Sequence, residues 1–244
     1  MEDRESIIKF EIVKLPFCSI YEQLHLEEGL LRADHRNFCI FSQGSIEPAV
    51  VLGISNQPTL LVNQMERERQ GVDLIRRFTG GGAVIVDENT LFVTFIGQAD
   101  VLRNYPCTPR GIMHWAEEIF KPLFSHLSFS LQENDFAIGE RKCAGNAQYL
   151  QRGRFLLHTS FLWDYSGERM KILLQPEVAP LYRKGRRHEE FLCRLQEHFS
   201  SKEEFFRQLK VEIEQRFSLQ NIDQATCLKT LSSRTYRKAT TYLE

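Results

Sequence analysis

Arg76-Arg77-Phe78-Thr79-Gly80-Gly81-Gly82-Ala83-Val84 is the stretch on which the fold of this chain turns. Three successive residues without Cβ atoms let the backbone take positive φ and approach a ligand closely, and their amides can point at anionic oxygens. Two arginines just before them supply fixed positive charge. The short run that follows, Ala83-Val84-Ile85-Val86, holds three β-branched residues, which predicts a strand rather than a helix. The segment is therefore neither a Walker A loop, which ends in Gly-Lys-Ser/Thr, nor a dinucleotide fingerprint opening a helix. Taken alone, it is also compatible with a glycine-rich hairpin carrying two surface arginines.

A second stretch, Asn134-Asp135-Phe136-Ala137-Ile138-Gly139-Glu140-Arg141-Lys142-Cys143-Ala144-Gly145-Asn146-Ala147-Gln148, narrows the choice. If Lys142 begins a strand, Ala144 shares its face, and the small Ala144, Gly145 and Ala147 let a ligand lie against the sheet. A lysine in such a groove can hold an acyl carbonyl and a phosphate together. Asp135 is a candidate for a hard cation, since Mg²⁺ in nucleotide sites takes one or two carboxylates plus phosphate oxygens.

Working outward, Ser19 to Arg32 carries Ile20, Leu24, Leu26, Leu30 and Leu31 at helical spacing, and Ser19 with Glu22 forms a capping box. Strands are expected at Asn37–Ser42, Ala49–Gly53, Ala83–Val86 and Leu91–Gly97, with a helix near Val62–Gln70. Gly111 to Leu127 forms a strong helical stripe in which Pro122 kinks the last turn. Phe129–Leu131, Asp135–Ile138, Lys142–Tyr149 and Phe155–Trp163 predict a second block of strands, with turns at Gly139-Glu140 and Arg152-Gly153. Helices follow at Gly167–Leu174, His188–Phe199 and Lys202–Phe217, and one more after Asn221. Blocks of strands interrupted and followed by helices favour an α+β fold: a mixed β-sheet flanked by helices. No linker or repeat marks a boundary, so residues 1–244 are expected to form a single domain with a helical C-terminal segment at about 200–244 and no full accessory domain.

Composition excludes several classes. With 42% hydrophobic residues, 26% charged residues and a net charge of -1, the chain is of ordinary globular type, and no excess of basic charge steers it to nucleic acid or an anionic membrane. Its six cysteines (Cys18, Cys39, Cys107, Cys143, Cys193, Cys227) have no metal or disulfide spacing. The opening Met1-Glu2-Asp3-Arg4-Glu5 is too acidic for a transit peptide, and no apolar run approaches the roughly 20 residues that span a bilayer. A cytoplasmic location is expected.

Together the two stretches resemble the lipoate–protein ligase A family, of the biotin/lipoate ligase superfamily, in which Arg-Arg-x-Ser/Thr-Gly-Gly-Gly-Ala-Val precedes an Asn-Asp pair and a Lys-x-x-Gly-x-Ala core. The likeness runs from about Pro48, through Gly53 and Asn56, to about Trp163, and more weakly through Tyr182–Leu195. It implies a catalytic domain akin to those of biotin ligases and class II aminoacyl-tRNA synthetases. It implies that lipoate or octanoate is activated with ATP and Mg²⁺ to an acyl-adenylate, then passed to a lysine. The acceptor would be a lipoyl domain of a 2-oxo acid dehydrogenase complex or the glycine cleavage H protein. By the same resemblance Lys142 is the catalytic residue, Arg77, Thr79, Gly80, Gly81, Gly82, Ala83, Asn134, Gly145 and His158 surround the lipoyl-adenylate, and Asp135 holds the metal. The acyl tail is expected between Val50 and Gly53 and near Phe78.

Three departures from the family pattern stand out. Glu88-Asn89-Thr90 replaces a Gly-Asn step, His158-Thr159-Ser160 replaces His-Gly-Thr/Ser, and few residues remain after Phe217 for an accessory domain, so a separate accessory partner is an option. The alternative function is an ATP-independent octanoyl or lipoyl transferase working through a cysteine thioester, with Cys107 or Cys143 as nucleophile. A biotin ligase is disfavoured because Gly-Arg-Gly-Arg is absent. A scaffold that binds lipoylated proteins without catalysis is the non-enzymatic reading. His158 alone, at a strand end, has a structural role as its plainer explanation, and the basic run Arg183-Lys184-Gly185-Arg186-Arg187-His188 is either a solvated face or a contact for an acidic acceptor or nucleotide phosphates.

Overall fold

The computed structural model describes residues 7–175 and 180–244; the acidic opening Met1–Glu5 lies outside them. Strands β1 (Lys9–Lys14), β2 (Phe38–Ser42), β3 (Ala49–Leu52), β4 (Asp73–Arg76), β5 (Ala83–Val86), β6 (Thr90–Gln98), β7 (Phe129–Gln132), β8 (Asp135–Ile138), β9 (Arg141–Gln151), β10 (Arg154–Leu162), β11 (Ser218–Ile222) and β12 (Thr241–Leu243) form two sheets. The larger runs β11-β1-β2-β6-β10-β9-β8-β7 and the smaller β12-β4-β3-β5. Both are mixed: β1 is parallel to β2 and β11, and β3 to β4, while the other pairs are antiparallel. The helices are α1 (Ile20–Ala33), α2 (Pro58–Leu61), α3 (Gln64–Gln70), α4 (Pro109–Phe120), α5 (Gly167–Met170), α6 (His188–Phe191), α7 (Lys202–Glu214) and α8 (Gln224–Ser232).

The period-2 alternation of the long strands decides which helices pack on which face. Cys39 and Phe41 of β2, Leu91, Val93 and Phe95 of β6, and Phe155, Leu157 and Phe161 of β10 face α4 and α7, whose Trp115, Ile119, Phe120, Phe205 and Leu209 complete the main core. The residues between them, Phe38, Ile40, Ile96 and Leu156, face Leu26, Leu30 and Leu31 of α1 and Cys227 and Leu231 of α8. The α1 capping box is present as expected: Ser19 Oγ accepts from the Glu22 amide, and Glu22 Oε2 accepts from the Ser19 amide at 3.1 Å.

Four expectations need correction. The helix expected to reach Leu127 ends as α4 at Phe120, and Lys121–Phe124 continues as a 3₁₀ turn with Pro122 near its start, because proline supplies no amide to an α-helical ladder. The helix expected over Gly167–Leu174 stops at Met170; Leu173 instead bridges to Val62, and the Leu174 amide bonds to the Leu61 carbonyl. The helix expected over His188–Phe199 stops at Phe191, since Leu192 forms a parallel bridge with Lys142 and the Cys193 amide donates to the Lys142 carbonyl at 2.7 Å. Finally, Ala144 does not share the face of Lys142. The β8–β9 register slips between Phe136 and Ala137, so both Cys143 and Ala144 enter the core while Lys142 and Gly145 face the opposite side.

The C-terminal strand is tied down by Glu28, which is fully buried on α1. Its carboxylate accepts from Arg32 Nε at 2.9 Å, from the amides of Ala239 and Thr240, and from Thr240 Oγ1. Beyond it, β12 pairs with β4, and Tyr242 stacks on Tyr21 at 4.2 Å. Glu28→Gln keeps the shape but removes the charge these donors converge on, so we expect a loss of about 2 kcal/mol in stability by chemical denaturation. Residues 239–244 should then become the first site of limited proteolysis.

Candidate active site

Between the outer face of β9–β10 and the small sheet lies a cavity of about 420 Å³. Its two ends differ in chemistry. One end is apolar, where Ile20, Leu24, Val51, Val84 and Phe92 pack as one cluster; the other carries Glu133, Asn134, Asp135, Lys142, Arg183 and His188. Gly81, Gly82 and Ala83 of the glycine segment also line the cavity. Gly81 has φ +104, a conformation that favours glycine, and a Cβ on it would lie 3.5 Å from the Asn146 carbonyl of β9. Lys142 and the glycine segment therefore border the same cleft.

Of the residues singled out from sequence, Arg77, Gly81, Gly82, Ala83, Asn134, Asp135, Lys142, Gly145 and His158 line this cavity, whereas Thr79 and Gly80 do not. Thr79 is buried behind the loop with its Oγ1 unpartnered, and Phe78 is packed in the α1 core, away from the cavity. Val51 does line the apolar end.

Arg77 is nearly completely buried, and its guanidinium serves the loop itself. Nε and Nη2 donate to the Gly80 carbonyl at 3.1 and 2.8 Å, Nη2 also to Gly82 at 3.0 Å, and Nη1 to Val51 at 3.1 Å. With carbonyls rather than a carboxylate as partners, burial pulls its pKa down to about 10. The loop is held from its other side by the turn after β3. The Gly53 amide donates to Gly82, the Ile54 amide to Thr79, and Asn56 Nδ2 to the Gly81 carbonyl at 2.7 Å.

At the polar end, Lys142 Nζ lies 2.8 Å from Asp135 Oδ1, while Tyr182 Oη donates to Asp135 Oδ2 at 3.0 Å. Burial, and after it the Asp135 charge, raises the Tyr182 pKa, so the phenol stays protonated as the donor. Asn146 sits between two partners: Thr159 Oγ1 donates to its Oδ1 at 2.7 Å, and its Nδ2 donates to the Asn134 carbonyl at 3.0 Å. Thr159 lies in the extended strand β10, where a side chain is accommodated in place of glycine. The turn that carries Asp135 is thus fixed through a hydroxyl and an amide.

His158 is not at a strand end but in the middle of β10, with its Nδ1 2.8 Å from Glu27 Oε2. Glu27 is fully buried and also accepts from Gln23 Nε2 and Thr94 Oγ1, both at 2.8 Å. This orients the ring and leaves Nε2 as the nitrogen available to the cavity. Sequence reading missed Glu27, Tyr182 and the depth at which Arg183 sits. A signal for Glu27 existed: it lies on the same helical stripe as Ile20, Leu24 and Leu31, where an acidic residue must have a buried partner.

None of the six cysteines lines the cavity. Burial raises the pKa of each one, to about 11 at Cys18 and Cys227, so none carries the thiolate character of a nucleophile. Among the described residues no helix is long and apolar enough to cross a membrane, and no three His, Cys, Asp or Glu side chains cluster as a metal-binding set.

Comparison with known proteins gives a consistent picture. The model of the lipoyl protein ligase A/B catalytic domain matches residues 19–214. The inactive lipoate–protein ligase 2 of Plasmodium falciparum is 28% identical over 233 residues, a match that covers 71% of this chain and 60% of that protein. Among solved structures, the bi-partite lipoate protein ligase of Thermoplasma acidophilum, studied with its E2 lipoyl domain, superposes with a TM-score of 0.71 at 16% identity, covering 93% of each chain. A lipoate–protein ligase A bound with ATP superposes with a TM-score of 0.72 at 16% identity, covering 93% of this chain and 96% of that one. At such identities the likeness speaks for the fold. The chain spans about half the length of the curated relatives it matches.

Proposed function

The chain belongs to the lipoyl protein ligase A/B catalytic domain family, and on that premise we propose that it activates lipoate or octanoate with ATP and transfers the acyl group to a lysine of a lipoyl-type acceptor domain. The observation that carries this reading is the two-ended cavity, apolar at Ile20, Leu24, Val51 and Phe92 and cationic at Lys142. An apolar acid enters tail first, which leaves its carboxylate between Lys142 and the glycine segment.

The carboxylate attacks the α-phosphate of ATP, pyrophosphate leaves, and a mixed acyl-phosphate anhydride forms. Lys142 offsets the charge that develops on the phosphoryl oxygens, and the amides of the glycine segment are free to face it because Arg77 and Asn56 occupy the segment's carbonyls. The acceptor amine then attacks the acyl carbon, forms an amide and releases AMP. His158 Nε2, oriented by Glu27, positions the acyl chain. The cleft excludes water, which would otherwise hydrolyse the anhydride.

Magnesium fits the donors at the polar end, where two carboxylates, Glu133 and Asp135, border the cavity. They are the residues that would hold it, and it would neutralise phosphate charge when bound. A cysteine thioester route lacks support, since none of the six thiols borders the cavity and burial raises the pKa of each. Names and structures of relatives favour the ATP route: one solved relative binds ATP, and another was studied with an E2 lipoyl domain.

The test is pyrophosphate release with lipoate, octanoate or biotin, with and without a lipoyl acceptor domain. We expect release with the first two acids, none with biotin, and a mass increase on the acceptor lysine. Acyl transfer from a thioester donor without ATP would overturn the reading in favour of a transferase. Acceptor binding with no turnover under any condition would overturn it in favour of a scaffold.

A further inference from the structure

Arg183 is 94% buried by side-chain packing yet borders the cavity, and it forms no ion pair with a carboxylate among the described residues. Its Nε donates to the Arg186 carbonyl at 2.9 Å, its guanidinium lies over the Phe191 ring at 5.2 Å, and its Nη2 has no hydrogen-bond partner among the described residues. A buried guanidinium with a missing partner and no counter-ion is costly, and a protein keeps one where something arrives to complete it. The surroundings say what that is.

Neither carboxylate at this end pairs with Arg183. Asp135 is shared by Lys142 and Tyr182, and Glu133 Oε1 accepts from the Tyr182 amide at 3.2 Å. His188, which also borders this end, is held towards its neutral form by burial and by the charges of Arg183 and Lys142. The turn that presents Arg183 is braced rather than loose. Arg186 Nε donates to the Arg183 carbonyl, and Arg186 Nη2 donates to the carbonyls of Tyr182 and Glu140. Lys184 and Gly185 reverse the chain at φ +52 and +70. Arg183 is therefore a fixed donor, pre-oriented without its acceptor.

We infer that Arg183 is an anion-binding residue of this site: its guanidinium takes a phosphate oxygen of the nucleotide, and the phosphate supplies the counter-charge that no carboxylate among the described residues gives it. This rests on the proposed ligation for the identity of the anion, but not for the existence of an anion site. Arg77, the other buried guanidinium at the cavity, is satisfied by loop carbonyls, so of these two arginines Arg183 alone has a donor to give.

The experiment uses the full chain and three forms, wild type, Arg183→Met and Arg183→Lys, titrated calorimetrically with ATP, pyrophosphate and lipoate and melted with and without each. We expect Arg183→Met to bind ATP and pyrophosphate about 30-fold more weakly or worse, with lipoate affinity unchanged. Free Arg183→Met should melt no lower than wild type, because an uncompensated buried charge has been removed. Arg183→Lys should fall between the two in ATP affinity. Unchanged affinity for ATP and pyrophosphate in Arg183→Met overturns the assignment. So does a lowered melting temperature with equal loss of lipoate and ATP, which marks a packing role, and so does a wild type that binds neither anion. If the anions bind through Arg183 but no acyl acid releases pyrophosphate, the ligation fails while the assignment stands.

Discussion

Lys142→Ala leaves a folded protein that has lost acyl transfer by about 10³-fold or more, the scale on which a single preorganised charge acts on a developing oxyanion. The loss follows from position. Lys142 is the ammonium group at the polar end of a cavity that the glycine segment also lines, and its side chain is a quarter exposed. The fold survives because the lysine contributes one ion pair rather than packing. Asp135 keeps its bond from Tyr182 and gains access to water in the emptied space. A stability change of about 1 kcal/mol is expected. Lys142→Arg should not rescue activity, because a planar fork cannot replace a compact ammonium at 2.8 Å from Asp135. The measurements are single-turnover pyrophosphate release and a thermal melt on the same sample. A variant that melts like wild type and still acylates at near-normal rate removes Lys142 from the mechanism.

Gly53→Ala is expected to be equally damaging by a different route. A Cβ at Gly53 would sit 2.1 Å from the Gly81 carbonyl oxygen, an atom of the backbone that cannot step aside. The loop has to move, which breaks the bonds from Gly53 and Asn56 that hold it and then those of Arg77. We expect a stability loss of about 3–5 kcal/mol, in the range of severe single substitutions, together with loss of measurable acyl transfer. Gly82→Ala separates the two effects. Nothing lies within 4 Å of a Cβ there, and Gly82 borders the cavity, so the fold tolerates the added methyl while ligand binding is obstructed. Denaturation midpoints and lipoate affinity measured on both variants check this. Equal stability of Gly53→Ala and wild type would show that the loop is not clamped as described.

Where local signals were strong, sequence and structure agree. α1 was legible because Ser19 and Glu22 mark its start, and β5 and β8 because short apolar runs lie between glycines or turn residues. β1 was missed because Glu11 and two lysines interrupt an otherwise apolar run, although Glu11 is buried and pairs with Lys9 at 3.1 Å. β4, β11 and β12 are short, and the last two are largely exposed, so alternation gives little to read. For the site, the glycine and lysine stretches were visible because each is contiguous in sequence. Glu27 with His158 and Tyr182 with Asp135 are pairs 131 and 47 residues apart, and no spacing rule relates them. The β-bulge at Phe136/Ala137 was equally invisible, yet it decides that Lys142 and Gly145 share a face.

The pairing of β12 with β4 has a consequence for how the protein is made. Residues 241–243 flank residues 74–76, the strand that leads directly into the glycine loop. On the ribosome, that strand emerges long before residues 241–243 have been translated, so until they follow the nascent chain carries an uncovered edge beside the glycine loop. The edge is covered only once residues 241–243 have been made, so codon-level slowing just before them would act on assembly of the small sheet after every strand of the eight-stranded sheet is already in hand.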